Sequence, residues 1–202
     1  FVVTSYYYPH LGGVAVHTYN LYRKIVDKFD YDVVVISSTL DKELRDIKIP
    51  GITVHRLSPL FKLSNTPVNP LWYWKIKKLI NEFEPDVICV HTPVPFMVDC
   101  AVAAADDIPV IFKYHHVGSM AKGLIWIDWM LRLYEKTILQ MLLKKASIIL
   151  TSSEFTRRTF FKKHLDKTKT ITPGVDIERF ISKTQCDENR LLFVSGNLDP
   201  TE

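Results

Sequence analysis

The feature that most constrains this chain is the character of its strand-like runs. "YDVVVISS" (31–38), "PDVICVH" (85–91), "PVIFKYH" (109–115) and "ASIILTS" (146–152) are apolar and rich in β-branched residues, without the alternation of a sheet that has one wet face. Strands of this kind are buried on both faces, which requires helices above and below and therefore a parallel sheet. Segments of helical periodicity fall where such a fold needs them, at about 14–29, 70–84, 95–106, 123–145 and 153–164. With "FVVTSYYY" (1–8), "GITVHRL" (51–57) and "KTITP" (169–173), the alternation predicts seven strands in a doubly wound, Rossmann-like α/β domain. Residues 39–50 and 58–69 are too long and polar for the core and read as surface loops. The 202 residues, 47% hydrophobic and 24% charged, suffice for one sizeable core.

Several function classes are disfavoured. The formal charge of +4 suits an anionic ligand or surface, but no Lys/Arg run is long enough to argue for nucleic acid. Cys89, Cys100 and Cys186 form neither a CxxC pair nor an even-numbered framework, so no zinc site and no disulfide scaffold are expected. A reducing cytoplasm is the expected compartment. The start "FVVTSYYY" has no basic segment or cleavage site of a secretory signal, and without an initiator Met it leaves room for residues upstream.

The longest apolar stretch, from Gly123 to Ser147, contains Asp128, Arg132, Glu135 and Lys136. Each charge costs roughly 2.5–3.5 kcal/mol at the bilayer centre, so the stretch is not a simple membrane span. Leu124, Ile127, Leu131, Tyr134, Ile138 and Leu142 form one stripe at helical spacing, widened by Trp126, Trp129 and Met130. This predicts one long helix facing the core, with an interfacial membrane role as the alternative. "NPLWYWKIKKLI" (69–80) likewise reads as a packed amphipathic helix before a membrane-facing or acceptor-facing surface. Ser152, Ser153 and Glu154 read as an N-cap with its first helical turn.

In a doubly wound sheet, ligands bind outside the carboxyl ends of the strands, where the winding reverses. Five of the 7 histidines follow strand ends on that edge: His10, His17, His91, His115 and His116, leaving His55 and His164 elsewhere. A single histidine is more often structural, but their shared edge marks a site. Gly12 and Gly13 sit side by side between the first strand and first helix of a chain with only 7 glycines. There the main chain can approach a ligand closely, and the helix N-terminus offers N–H groups to a phosphate or diphosphate. "GGVAVH" lacks the GxGxxG spacing and "ISSTLD" has no acid at the strand tip, which disfavours NAD.

"YYYPHLGGVAVHTYNLYRKI" resembles the opening loop and helix of glycosyltransferase family 4, enzymes of GT-B architecture. "EPDVICVHTP", "IPVIFKYHHVG", "ASIILTSSEFTRRTF", "KTITPGVDIERF" and "LLFVSGNLDP" resemble, in order, further segments of that family. The resemblance implies the N-terminal half of a GT-B fold at 1–175, an acceptor-side domain. Residues 176–202 would then form the interdomain linker, with Asp176 ordering it, and the first strand of a truncated donor-binding domain. It implies retaining transfer of a sugar from a nucleotide diphosphosugar to a saccharide or lipid-linked acceptor, without cofactor or metal. Gly12 and Gly13 match the loop near the donor diphosphate, and His115 matches the histidine near the donor sugar, as catalytic residue. His17 resembles the family's residue near the acceptor, and His91 and His116 are placed with it on the acceptor side. A peripheral contact with the inner face of the membrane is left open. Asn197 after Gly196, where a basic residue is usual, and "TPGVD" for the commoner "PNGVD" depart from the family pattern. With the donor-binding half absent, residues 1–202 are expected to be an N-terminal fragment that is inactive alone. Two rivals stand beside this reading: a phospho-ligand binding module without chemistry, and a metal hydrolase, for which HxH and HExxH spacings are missing and Asp99 is the only acid near those strand ends.

Overall fold

The computed structural model describes residues 1–10, 12–39, 48–63, 66–92, 95–115, 125–175 and 177. The chain runs β1 (Val2–Thr4), α1 (Gly13–Lys28), β2 (Val33–Ser38), β3 (Ile52–Leu57), β4 (Phe61–Leu63), β5 (Thr66–Val68) and α2 (Trp72–Phe83). It continues through β6 (Ile88–Thr92), α3 (Met97–Ala104), β7 (Val110–Tyr114), α4 (Ile125–Lys136), α5 (Ile138–Lys145), β8 (Ala146–Thr151), α6 (Glu154–Phe160), a 3-10 turn (Lys162–Lys167) and β9 (Thr168–Thr170). Seven strands make one parallel sheet in the order β3-β2-β1-β6-β7-β8-β9, so the winding reverses between β1 and β6. This is the doubly wound sheet that the apolar runs predict.

Both faces of the sheet are covered. On one, Trp72, Ile76 and Ile80 of α2, spaced i, i+4 and i+8, pack with Met97, Ala101, Leu139 and Leu143 over Val3, Ile36, Ile88, Val90, Phe112 and Ile149. Each of the Val, Leu, Ile, Met and Phe side chains among them gains about 1.5–3 kcal/mol from burial. On the other face Tyr22 of α1 packs with Val2, Val33, Val35 and Ile52, with Cys89 against them. Period-2 alternation puts Val2 and Thr4 on that second face, and the register sets Thr4 opposite His91 and His91 opposite Lys113. The α1 face is thus apolar near the start of the strands and polar at their carboxyl ends.

Three expectations need correction. The segment 58–69 holds an antiparallel hairpin, β4 paired with β5, that lies outside the main sheet with β4 exposed. The stretch 123–145 is two helices, interrupted at Thr137 (φ −117°, ψ −80°). Thr137 Oγ1 donates to Leu133 O at 2.7 Å, and its N–H is shared between Leu133 O and Tyr134 O; a β-branched residue competing for the preceding carbonyl ends the turn there. The break shifts the buried phase by one residue, so Leu139 and Leu143 are buried while Ile138 is 48% exposed. Trp126 and Trp129 do not widen a core stripe but stand in solvent, Trp129 at 64%. Leu124 and the side chain of Ile127 lie outside the described residues. The first strand also ends earlier than read: Tyr7 is buried, Tyr8 is exposed, and β1 stops at Thr4.

Candidate active site

The crevice between the carboxyl ends of β1 and β6 holds a cavity of about 180 Å³ lined by Thr4, Ser5, Tyr6, His10, Gly12, Gly13, His91 and Thr92, among others. The glycines form its upper wall. Gly12 is the N-cap of α1 in extended backbone (φ −176°, ψ 147°), with no side-chain cap and no acid in the first turn, and Gly13 is the first helical residue. Neither position demands glycine for the fold. Any residue adopts the Gly12 backbone; a Cβ there would come no nearer than 3.7 Å to His10, and a Cβ on Gly13 would meet nothing within 4 Å. What the missing side chains keep open is the approach from the cavity to the uncapped N–H groups of α1.

Below this wall the α1 face carries a cluster of imidazoles. His91, 2% exposed at the end of β6, places Nδ1 at 2.8 Å from His115 Nε2 and 3.2 Å from Thr18 Oγ1. Its Nε2 lies 3.1 Å from the Tyr22 hydroxyl. The His91 and His115 ring planes lie within 19° of each other with centroids 5.0 Å apart, so the two rings meet edge to edge through that 2.8 Å contact, and the His17 ring meets His115 edge-on at 5.2 Å. Lys113, the register partner of His91 on β7, donates from Nζ to Ile171 O at 2.9 Å. Burial first, then His17 and Lys113, hold His115 down to about 4, and burial followed by the same neighbours and His115 pushes His91 well below the usual imidazole value. His17 is lowered by burial and by Lys113, and Lys113 itself is lowered by burial. His91 and His115 are therefore uncharged at neutral pH, and their hydrogen bonds have a definite direction.

The family model for Glycosyltransferase Family 4 matches residues 11–179, which contain both glycines and all three clustered histidines. The chain belongs to glycosyltransferase family 4. Solved structures share the fold of this family 4 chain. A glycosyltransferase from Rickettsia africae ESF-5 is 19% identical, with a TM-score of 0.53 over 89% of this chain and 44% of that one. A UDP-N-acetylglucosamine 2-epimerase from Rickettsia bellii is 10% identical, with a TM-score of 0.54 over 84% and 43% of the two chains. A putative UDP-N-acetylglucosamine 2-epimerase from Listeria monocytogenes is 14% identical, with a TM-score of 0.52 over 83% and 42%. The chain spans less than half the length of these structures. No curated protein matches the sequence.

In this family 4 domain four of the five strand-end histidines lie within the described residues. His17, His91 and His115 come together. His10 lies on the cavity rim, stacked on Tyr6 at 4.6 Å. His116 and Asp176 lie outside the described residues, as do residues 178–202. His91, grouped with the acceptor side in the sequence, lines the cavity, 2% exposed and with both ring nitrogens engaged. Asp99 is occupied too: its Oδ2 accepts from Phe96 N at 2.8 Å and its Oδ1 from the Tyr134 hydroxyl at 2.6 Å. Burial pushes its carboxyl up, partly offset by those bonds. Among the described residues no group of three or more His, Cys, Asp or Glu side chains is arranged to hold a metal ion. Ser153 caps α6 as read, accepting from Thr156 N at 3.2 Å.

Sequence reasoning missed Thr18, Tyr22 and Lys113. Lys113 had a signal: a lysine inside an otherwise buried apolar strand, two residues before His115 and so on the same face. Thr18 and Tyr22, four apart on α1, had none that tied them to His91.

Proposed function

We propose that this chain is the acceptor-side domain of a retaining glycosyltransferase that moves a sugar from a nucleotide diphosphosugar to a saccharide or lipid-linked acceptor. The observation that supports this best is the opening of α1 at Gly12–Gly13 onto a cavity beside an uncharged histidine cluster. Sugar transfer builds negative charge on the departing nucleoside diphosphate. The first-turn N–H groups of α1, with the positive end of its dipole, stabilise that charge without reorganising. His115 is the catalytic residue of this reading: a neutral imidazole hydrogen-bonds a sugar hydroxyl and holds the reacting carbon in line. His17 and His116 belong to the acceptor side. Family membership favours transfer over the epimerisation for which two fold neighbours are named, because those neighbours share the fold alone.

Residues 176–202 are the linker and the first strand of a donor-binding second domain in this reading, and the protein is cytoplasmic. Among the described residues no helix is long and apolar enough to cross a membrane. A peripheral contact is supported by α4 and α5, where Trp126, Trp129, Leu133 and Met141 are exposed beside Arg132, Lys136, Lys144 and Lys145. The test of the chemistry is His115→Ala in the complete enzyme, which should lower turnover by roughly 10²-fold or more with an unchanged circular dichroism spectrum. Near-normal turnover would remove His115 from the mechanism.

A further inference from the structure

Distances on the α1 face of the sheet fix where the protons of the histidine pair reside. Thr18 Oγ1 lies 2.6 Å from the carbonyl oxygen of Val14. Two oxygens that close repel unless a hydrogen lies between them, so the hydroxyl proton is spent on that carbonyl. Thr18 therefore turns a lone pair toward Nδ1 of His91 at 3.2 Å, and that nitrogen must carry a hydrogen. In a neutral imidazole the other nitrogen is then bare, and Nε2 of His91 accepts the Tyr22 hydroxyl at 3.1 Å. The Nδ1–H has a nearer partner than the threonine oxygen in His115 Nε2, at 2.8 Å. A nitrogen that accepts holds no hydrogen of its own. The proton of His115 is consequently on Nδ1.

We propose that Thr18, Tyr22 and His91 are positioning residues that lock His115 in its neutral Nδ1–H form, so that it offers a ligand a hydrogen-bond donor and no free lone pair. His115 in this state cannot serve as a general base through Nε2, which is tied to His91. An N–H donor is what a sugar hydroxyl or a diphosphate oxygen can use. That last step rests on the sugar-transfer reading; the tautomer does not. The titratable groups facing the pair from the packed elements are His17 and Tyr22 on α1, Cys89 on β6 and Lys113 on β7. Cys89 Sγ is 3.9 Å from His91 Nε2, and burial raises the thiol, so it adds no anion that could draw a second proton onto the ring.

The test is two-bond 1H–15N correlation spectroscopy on the chain labelled with 15N-histidine, which separates the two neutral tautomers ring by ring. His115 is expected as a single Nδ1–H form near pH 7. Thr18→Val, which keeps the shape and removes the lone pair, should give a mixture of tautomers at His91 and His115, and Thr18→Ser should keep the wild-type form. An Nε2–H form of His115 in the wild type overturns the proposal without recourse to any variant, as does a Thr18→Val spectrum identical to the wild type. In the complete enzyme, Thr18→Val should lower kcat on the order of 10-fold, with Thr18→Ser restoring it. An unchanged kcat in Thr18→Val removes the positioning role. If the tautomer stands while His115→Ala remains active, the fault lies with the sugar-transfer reading instead.

Discussion

Acid should destabilise this domain through its histidine cluster, and His115 allows the effect to be sized. Its ring is held down to about 4 against an ordinary 6.5, by burial first and then by His17 and Lys113. Between those two values the unfolded chain binds a proton that the native chain refuses. Stability therefore rises with pH across this window and is lost as pH falls from 6.5 toward 4. At roughly 1.4 kcal/mol per pH unit the loss is about 3 kcal/mol by pH 4, and about 2 kcal/mol once the solvent that reaches a half-buried ring is discounted. His17 and His91 act in the same direction, while Asp99, whose carboxyl is raised by burial, acts in the opposite one. The way to isolate His115 is to compare the wild type with His115→Gln by urea unfolding at pH 7 and pH 4.5, followed by far-ultraviolet circular dichroism. The wild type should lose about 2 kcal/mol more than the variant between the two pH values. Parallel losses would refute the argument that burial among positive neighbours keeps this ring neutral.

Two further outcomes follow from the same geometry. Gly13→Ala adds a methyl that meets nothing within 4 Å, so the thermal midpoint should be unchanged or slightly raised while donor affinity in the complete enzyme falls 10-fold or more; unaltered affinity would mean that no ligand passes that wall. Sedimentation with vesicles containing anionic lipid should capture the chain, and Trp126→Ser with Trp129→Ser should abolish capture; equal capture of both forms would remove α4 from any membrane contact.

How much of this was legible in the sequence depends on the range of the interaction concerned. The apolar runs ending at Ser38, His91, His115 and Ser152 gave the sheet and its parallel sense, because burial on both faces leaves a local signature. Ile76 and Ile80 marked the inner face of α2 in the same way. The carboxyl edge was legible too, since Gly12, Gly13, His17, His91 and His115 each follow a strand end. Thr137 was harder: whether a β-branched residue is tolerated inside a helix or ends it depends on what α4 and α5 pack against. The β4–β5 hairpin buries little, so its short strands left no core signature. The contacts of Thr18 and Tyr22 with His91 span 73 and 69 residues and exist only once α1 docks on β6, which no local pattern encodes.

The central claim, that a nucleotide diphosphosugar meets this domain at the N-terminus of α1 beside His115, is tested most directly by following backbone amides and histidine side chains while UDP- and GDP-sugars are titrated into the 15N-labelled chain. The account predicts shifts confined to Gly12, Gly13, Val14, Ala15 and the His115 ring, with a Kd on the order of 1 mM, because the proposed reading assigns most of the ligand's contacts to a donor-binding second domain. Saturating shifts elsewhere, with the amides of Gly12 to Ala15 unmoved, would contradict it.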